Sequence, residues 1–411
     1  MANRLKNCAL YQELLLTFLK IIPLLVLAIV VFPQSARGQT LKTILTFNGA
    51  TDGAYSSSGL VPDHKGNLYG TTQAGGIFNF NGGTVFSVDL GGAETVLHSF
   101  CAESNCGDGS TPYGGVILDT LGNLYGATSG GGRYDDGVVF SLSPAGEETV
   151  LYSFKGLAAG DGTAPAYGSL VRDGEGTLYG ATLNGGEACT YTSAGCGVVY
   201  KIDTTGKETI LHRFSGGDDG GLPPANPIYA GGTLYGTTFR GGTNGCGTVY
   251  SIGTKGFLKI VYNFSCSVGG WGPNAGLTWD SNDTLYGTTS FGGFRSEGTI
   301  FKLVPSTGIA TFLYDFQGGT IDGCVPGLGS LTLDPAGNIY GITSFCGANG
   351  FGIIFELDST GTETVLYNFP GGAYGGTPQS TLLRTVTGDF FGTTYFSGDL
   401  SCCGTVFEFT P

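Results

Sequence analysis

Five aspartates in this 411-residue chain sit directly before glycine in a recurring loop pattern. The pattern is DGxxP at 108–112, 161–165, 219–223 and 322–326, with a partial copy at Asp52-Gly53. In two further copies Gly269 and Tyr374 stand at the aspartate position. Carboxylates on glycine-rich loops can hold a hard cation such as Ca2+ through oxygen ligands. One expectation is therefore an acidic ring of Asp52, Asp108, Asp161, Asp219 and Asp322 around the mouth of a central channel. The other is turn chemistry. Asp accepts hydrogen bonds from nearby backbone, Gly supplies positive φ, and Pro sets the entry to the next strand.

Aromatic residues crowd the same class of loop: Tyr55, Phe78, Phe80, Tyr113, Tyr134, Tyr167, Tyr191, Trp271, Phe291, Phe294, Phe345, Phe351, Tyr374, Tyr395 and Phe396. Some must fill space between elements. Tyr and Trp beside Asp also suit glycan or protein recognition, because they offer an apolar face and a polar tip. Tyr113, Tyr167, Trp271 and Tyr374 are the expected ligand contacts. Histidine is scarce, with only His64, His98 and His212. No pair has metal-ligand spacing, and neither HExxH nor a nucleophile elbow is present. His98 and His212 occupy a repeat position filled elsewhere by Tyr152, Tyr262, Tyr314, Tyr367 and Leu45, which marks a packing position.

Cysteine carries the remaining chemistry. Ten of the 11 cysteines follow residue 38, and an even number in an exported chain points to disulfides. Cys101 and Cys106 share one loop and Cys189 and Cys196 another, so both pairs are expected to close locally. Cys246 with Cys266 and Cys324 with Cys346 are the further expected pairs. Cys402 and Cys403 are adjacent, and neighbouring Cα atoms lie closer than the usual disulfide range.

The elements that position these residues repeat seven times. LYGTT at 68–72 returns at 124–128, 178–182, 234–238, 285–289, 339–343 and 390–394, and GTVF recurs in the same number of copies from 83–86 to 404–407. Short runs rich in Val, Ile, Leu, Tyr, Phe and Thr between Gly, Asp and Asn turns predict an antiparallel meander of four strands, A to D, per copy. A period of about fifty residues with four strands per copy predicts an all-β, seven-bladed β-propeller. The first strand D, LKTILTF at 41–47, has no A, B or C before it, and the last copy has no D after it. The N-terminal strand is therefore expected to complete the C-terminal blade and close the ring, which removes open sheet edges. Alternation places the long B–C loops and D–A crossovers on one face, and variable loops on a rigid scaffold are where function usually sits.

Residues 1–38 differ in character from the rest. A basic start at Arg4 and Lys6, an apolar run at 21–32 and small residues at Ala36 and Gly38 predict a signal peptide, and the run is shorter than a membrane span. Cleavage near Gly38 removes Arg4, Lys6, Lys20, Arg37 and Glu13, leaving 14 basic against 31 acidic residues. Such a surface is a poor partner for nucleic acid, which requires clustered Lys and Arg. The mature chain, 39–411, is expected to be a secreted monomer, extracellular or periplasmic, without a transmembrane helix.

The unit LYGTT…GG…GTVF…G…TVLYNF resembles the Gloeobacter–Verrucomicrobium (GloVer) tandem repeat over essentially all of 41–411. The resemblance implies an exported bacterial repeat protein and brings no established reaction, ligand or site residue. No hydrophobic or sorting tail follows Phe409, so the anchoring of some family members is not expected here.

The function expected from these features is a binding or cell-surface interaction module, with a glycan or protein ligand on the long-loop face. The alternative is a propeller enzyme of the lactonase, lyase or glycosidase type, using paired channel-mouth carboxylates with Ca2+. Exposed, unpatterned loops would instead mark a purely structural surface protein.

Overall fold

The computed structural model describes residues 39–78, 82–266, 269–396 and 403–411. The leader expected at 1–38, Phe80 and Cys402 lie outside the described residues. The unit from Gln39 to Pro411 is all-β, with seven antiparallel sheets as blades in a ring. Blade 2 shows the pattern: Ile117–Leu118, Leu124–Thr128, Val138–Leu142 and Glu148–Ser153 pair in sequence order as strands A to D. In the last blade Phe390–Phe396 pairs with Thr405–Thr410, which pairs in turn with the N-terminal strand Thr40–Thr46. Leu41 faces Phe409 and Thr46 faces Thr405, so the N-terminal strand completes the C-terminal blade.

The core lies between blades. Each strand D ends on a buried phenylalanine that meets edge-on or tilted the aromatic ring of strand C in the next blade. Phe100 meets Phe140, Phe154 meets Tyr200 and Phe369 meets Phe407, with centroids 5.0 to 5.4 Å apart. Such pairs add about 0.5–1.5 kcal/mol each beyond area burial. The strand C ring in turn lies over the strand B glycine opposite it. A Cβ on Gly126 would fall 2.6 Å from Phe140 Cζ, so only glycine fits and LYGTT keeps it in every copy. Hydroxyls bridge neighbouring blades near the axis, as where Thr71 Oγ1 donates to Gly114 O at 2.8 Å. Thr393 Oγ1 does the same across the closure, 3.2 Å from Ser56 O and 3.1 Å from Ser58 O.

Four disulfides link Cys101 to Cys106, Cys189 to Cys196, Cys246 to Cys266, and Cys324 to Cys346. Cys403 is also disulfide-bonded and is fully buried. No helix among the described residues is long and apolar enough to cross a membrane.

Candidate functional site: the channel mouth

The DGxxP loop is a clamp at the outer edge of the blade. Asp161 is buried and accepts from Tyr152 Oη at 2.7 Å and from the backbone N–H of Lys155 at 2.9 Å and Gly162 at 2.7 Å. Asp322 does the same with Tyr314 Oη at 2.7 Å and the Gln317 and Gly318 N–H groups. In two other blades an imidazole replaces the phenol. His98 Nε2 lies 3.2 Å from Asp108 and His212 Nε2 3.0 Å from Asp219. These histidine positions are therefore hydrogen-bonding as well as packing positions. Burial raises the Asp108 and Asp219 carboxyls, but the histidine and backbone bonds outweigh it and hold both below the usual range. Asp52 caps Asn48 N–H at 2.9 Å, and there burial wins and raises the carboxyl.

The expected acidic ring is thus not what the crossovers build. Asp108, Asp161, Asp219 and Asp322 each bond the His or Tyr near the end of strand D, the outermost strand, so these carboxylates lie away from the channel. Among the described residues, one group of three metal-ligating types converges within 4.8 Å: Glu297, Cys324 and Cys346. Its two cysteines are bonded to each other.

The fourth position of the same loop carries a strain that the sequence did not announce. Tyr55, Thr111, Ala164, Leu222, Val325 and Thr377 all have φ between +50° and +61°, and only the copy at Gly272 places glycine there. In every copy that residue's N–H reaches the carbonyl just before strand C, as from Ala164 to Asp136 O at 3.1 Å and from Leu222 to Cys196 O at 2.8 Å. The following proline packs on the first glycine of strand C. Pro165 Cδ would lie 2.7 Å from a Cβ on Gly137. The outcome is that the segment after the proline runs inward to the axis.

Those segments build the channel. A cavity of about 320 Å³ is lined by residues of all seven blades, among them Ser57, Tyr113, Tyr167, Ser169, Asn226, Gly276, Ser330, Gln379 and Thr381. Among the described residues, no Asp, Glu, His, Lys or Arg lines it. Some polar groups here serve the scaffold. Asn226 accepts from Ala181 N–H at 2.8 Å and donates to Gly168 O at 2.9 Å, and Ser57 Oγ accepts from Gln73 Nε2 at 2.6 Å.

Of the expected ligand contacts, Tyr113 and Tyr167 come together, with ring centroids 4.9 Å apart. Tyr55 and Tyr395, from the two blades that meet at the closure, stack at 5.0 Å. Burial first, then the Tyr113 and Tyr395 hydroxyls, push the Tyr167 phenol up to about 12. The four tyrosines therefore form one arc at the mouth. Trp271 is elsewhere, stacked on Phe291 at 4.5 Å with the Arg240 guanidinium 5.4 Å from its ring. Tyr374 is half-exposed in the 3-10 turn Gly372–Tyr374 and does not line the channel. The serines, Asn226 and Gln379 were missed. The available signal was positional, since each lies within a few residues after the crossover's proline or its equivalent.

The repeat that produces this geometry is matched by a family model, the Gloeobacter/Verrucomicrobia repeat, over residues 30–194, 155–333 and 191–407. The chain belongs to this family. No curated protein matches the sequence. Among solved structures, this Gloeobacter/Verrucomicrobia repeat protein is similar in fold to an extracellular domain assigned to a hybrid two-component system of B. thetaiotaomicron. The TM-score is 0.55 at 16% identity, covering 90% of this chain and 39% of that one. The repeat protein thus spans about two fifths of that neighbour. It is also similar to an oligogalacturonate lyase in complex with manganese (TM-score 0.54, 14% identity, 92% and 94% coverage) and to one from Vibrio parahaemolyticus (0.53, 13%, 90% and 96%). At these identities the likeness concerns the fold alone.

Proposed function

We propose that this protein is an exported binding module, with residues 1–38 as its leader, that takes a glycan or protein ligand at the channel mouth on its long-loop face. The carrying observation is the arc of Tyr55, Tyr395, Tyr113 and Tyr167 over a cavity that draws on every blade. Its size falls at the lower end of small-molecule pockets, about 300–1,000 Å³. The disulfides fit an oxidising compartment, extracellular or periplasmic. The absence of carboxylates from the described lining favours binding over hydrolysis by a paired acid and base, which needs two carboxyls facing one bond.

The test is binding of the purified mature chain to a glycan array and to surface-protein extracts, repeated with Tyr113→Ala, Tyr167→Ala and the double variant. The expected result is a bound class lost in the double variant and retained in Tyr374→Ala. Binding unaffected by both tyrosine changes would place the site elsewhere.

A further inference from the structure

We infer that the occupant of the channel is an uncharged saccharide, whose terminal residue enters the cavity end-on while the rest of the chain leaves across the tyrosine arc. This deepens, and rests on, the binding reading above.

The first argument is charge. The whole chain has 32 acidic and 18 basic residues, yet the described residues that line its channel are Ser, Thr, Asn, Gln, Tyr and apolar groups. An acidic sugar in such a cavity would bury a carboxylate with no Lys or Arg to pair it, at a cost of several kcal/mol. The negative field of the protein would oppose its entry as well. An amino sugar would bury its ammonium with no carboxylate beside it. Only an uncharged ligand avoids both costs. Burial first, then the phenols of Tyr113 and Tyr395, raise the Tyr167 hydroxyl, so it stays a neutral phenol beside the cavity.

The second argument is hydrogen-bonding capacity. Ser57, Ser58 and Asn226 spend their polar groups on backbone and neighbouring side chains. The hydroxyls of Tyr113, Tyr167, Ser169 and Ser330 and the amide of Gln379 make no side-chain hydrogen bond among the described residues. Each can donate and accept, which matches a sugar hydroxyl, itself both donor and acceptor. The apolar C–H face of a pyranose has the tilted Tyr113 and Tyr167 rings to lie against, 58° apart. The third is size. A cavity of about 320 Å³ takes one or two sugar rings and no more of a polymer. The stacked pair Tyr55 and Tyr395 does not line the cavity and extends the aromatic surface beside Tyr113 and Tyr167.

The test is calorimetric titration of the mature chain with three matched sets of probes: neutral hexose oligosaccharides, oligogalacturonides and chitosan oligomers. Neutral chains should bind and the charged sets should not. Ser169→Lys and Gln379→Ala should each weaken neutral binding by about tenfold or more while leaving the melting temperature in place. A Ser169→Lys variant that gains oligogalacturonide binding would add direct support. Oligogalacturonide or chitosan binding as tight as neutral binding, and lost in the Tyr113→Ala, Tyr167→Ala double variant, overturns the inference and leaves the site intact. Neutral binding indifferent to the tyrosine, Ser169 and Gln379 changes overturns both. Failure of all three sets to bind also overturns the inference, and the site reading then rests on a protein ligand.

Discussion

Phe47 and Phe86 meet with their ring centroids 5.0 Å apart and their planes at 71°, which is how the first described strand locks the last blade to the first. Phe47 directly follows the N-terminal strand Thr40–Thr46 of the C-terminal blade, and Phe86 lies in strand C of blade 1. The same contact recurs at the other blade interfaces. Here it also joins the two ends of the chain.

Deleting 39–47 should therefore open the ring. It removes buried Phe47 and half-buried Ile44 and Leu45, a contribution on the order of 4 kcal/mol, and exposes the strand edge of Thr405–Thr410. The expected outcome is a melting temperature lower by several degrees, with concentration-dependent aggregation through the bare edge. Differential scanning calorimetry with light scattering checks it, and an intact melt from a monomer would contradict it.

The crossover aspartates should act as structural residues. Asp161→Ala leaves the Tyr152 hydroxyl and two backbone N–H groups without their acceptor, which should cost about 2–4 kcal/mol. Ca2+ and EDTA should both leave the wild-type melting temperature unchanged. A Ca2+-dependent rise would restore the cation reading.

Stability should fall as pH rises through neutrality. Burial, with the neighbouring Asp52, Asp108, Asp161 and Asp322 adding repulsion, raises Glu94, Glu148, Glu208 and Glu363 to about 7. His98 partly opposes this at Glu148, as Arg213 and Lys155 do at Glu208. Oε1 of each of the four is buried without a hydrogen-bond partner. A carboxyl raised in the folded state contributes fully below its unfolded value, about 4.5, and loses that contribution as pH passes its folded value. The protein should thus melt higher at about pH 5 than at about pH 8, and the fourfold Glu→Gln variant should flatten the difference. Asp108 and Asp219, which are lowered, act only below this window. A wild-type melting curve flat across that range would remove the basis for the claim.

Ala164→Gly should stabilise. Ala164 is held at φ +50°, where a Cβ costs roughly 1 kcal/mol and glycine none, and its N–H bond to Asp136 O survives the change. The greater freedom of glycine in the unfolded chain offsets part of this. A net gain of a few tenths to about 1 kcal/mol in urea melts is the expected reading, and a net loss would show that the loop is not strained there.

The architecture was legible in the sequence because everything that sets it is local and repeated. Alternating apolar runs, Gly and Asp turns and a strand D phenylalanine in each copy define a blade within some fifty residues, and counting strands located the closure. The disulfide pairs were legible for a related reason, since each joins cysteines at most 22 residues apart within one blade or loop. What a carboxylate or a ring faces was not legible. Asp161 could have pointed to the axis or back over strand D, and the choice fell to Tyr152 and to backbone N–H groups that exist as free donors only once the crossover has turned. Tyr55 and Tyr395 are 340 positions apart, and only closure of the ring stacks them. Trp271 stands two residues before its loop's proline and Tyr113 one residue after, and the first packs on Phe291 while the second reaches the mouth. The strands follow from each residue's near neighbours in sequence. The channel mouth is made by residues from every blade, and their meeting is a property of the closed ring.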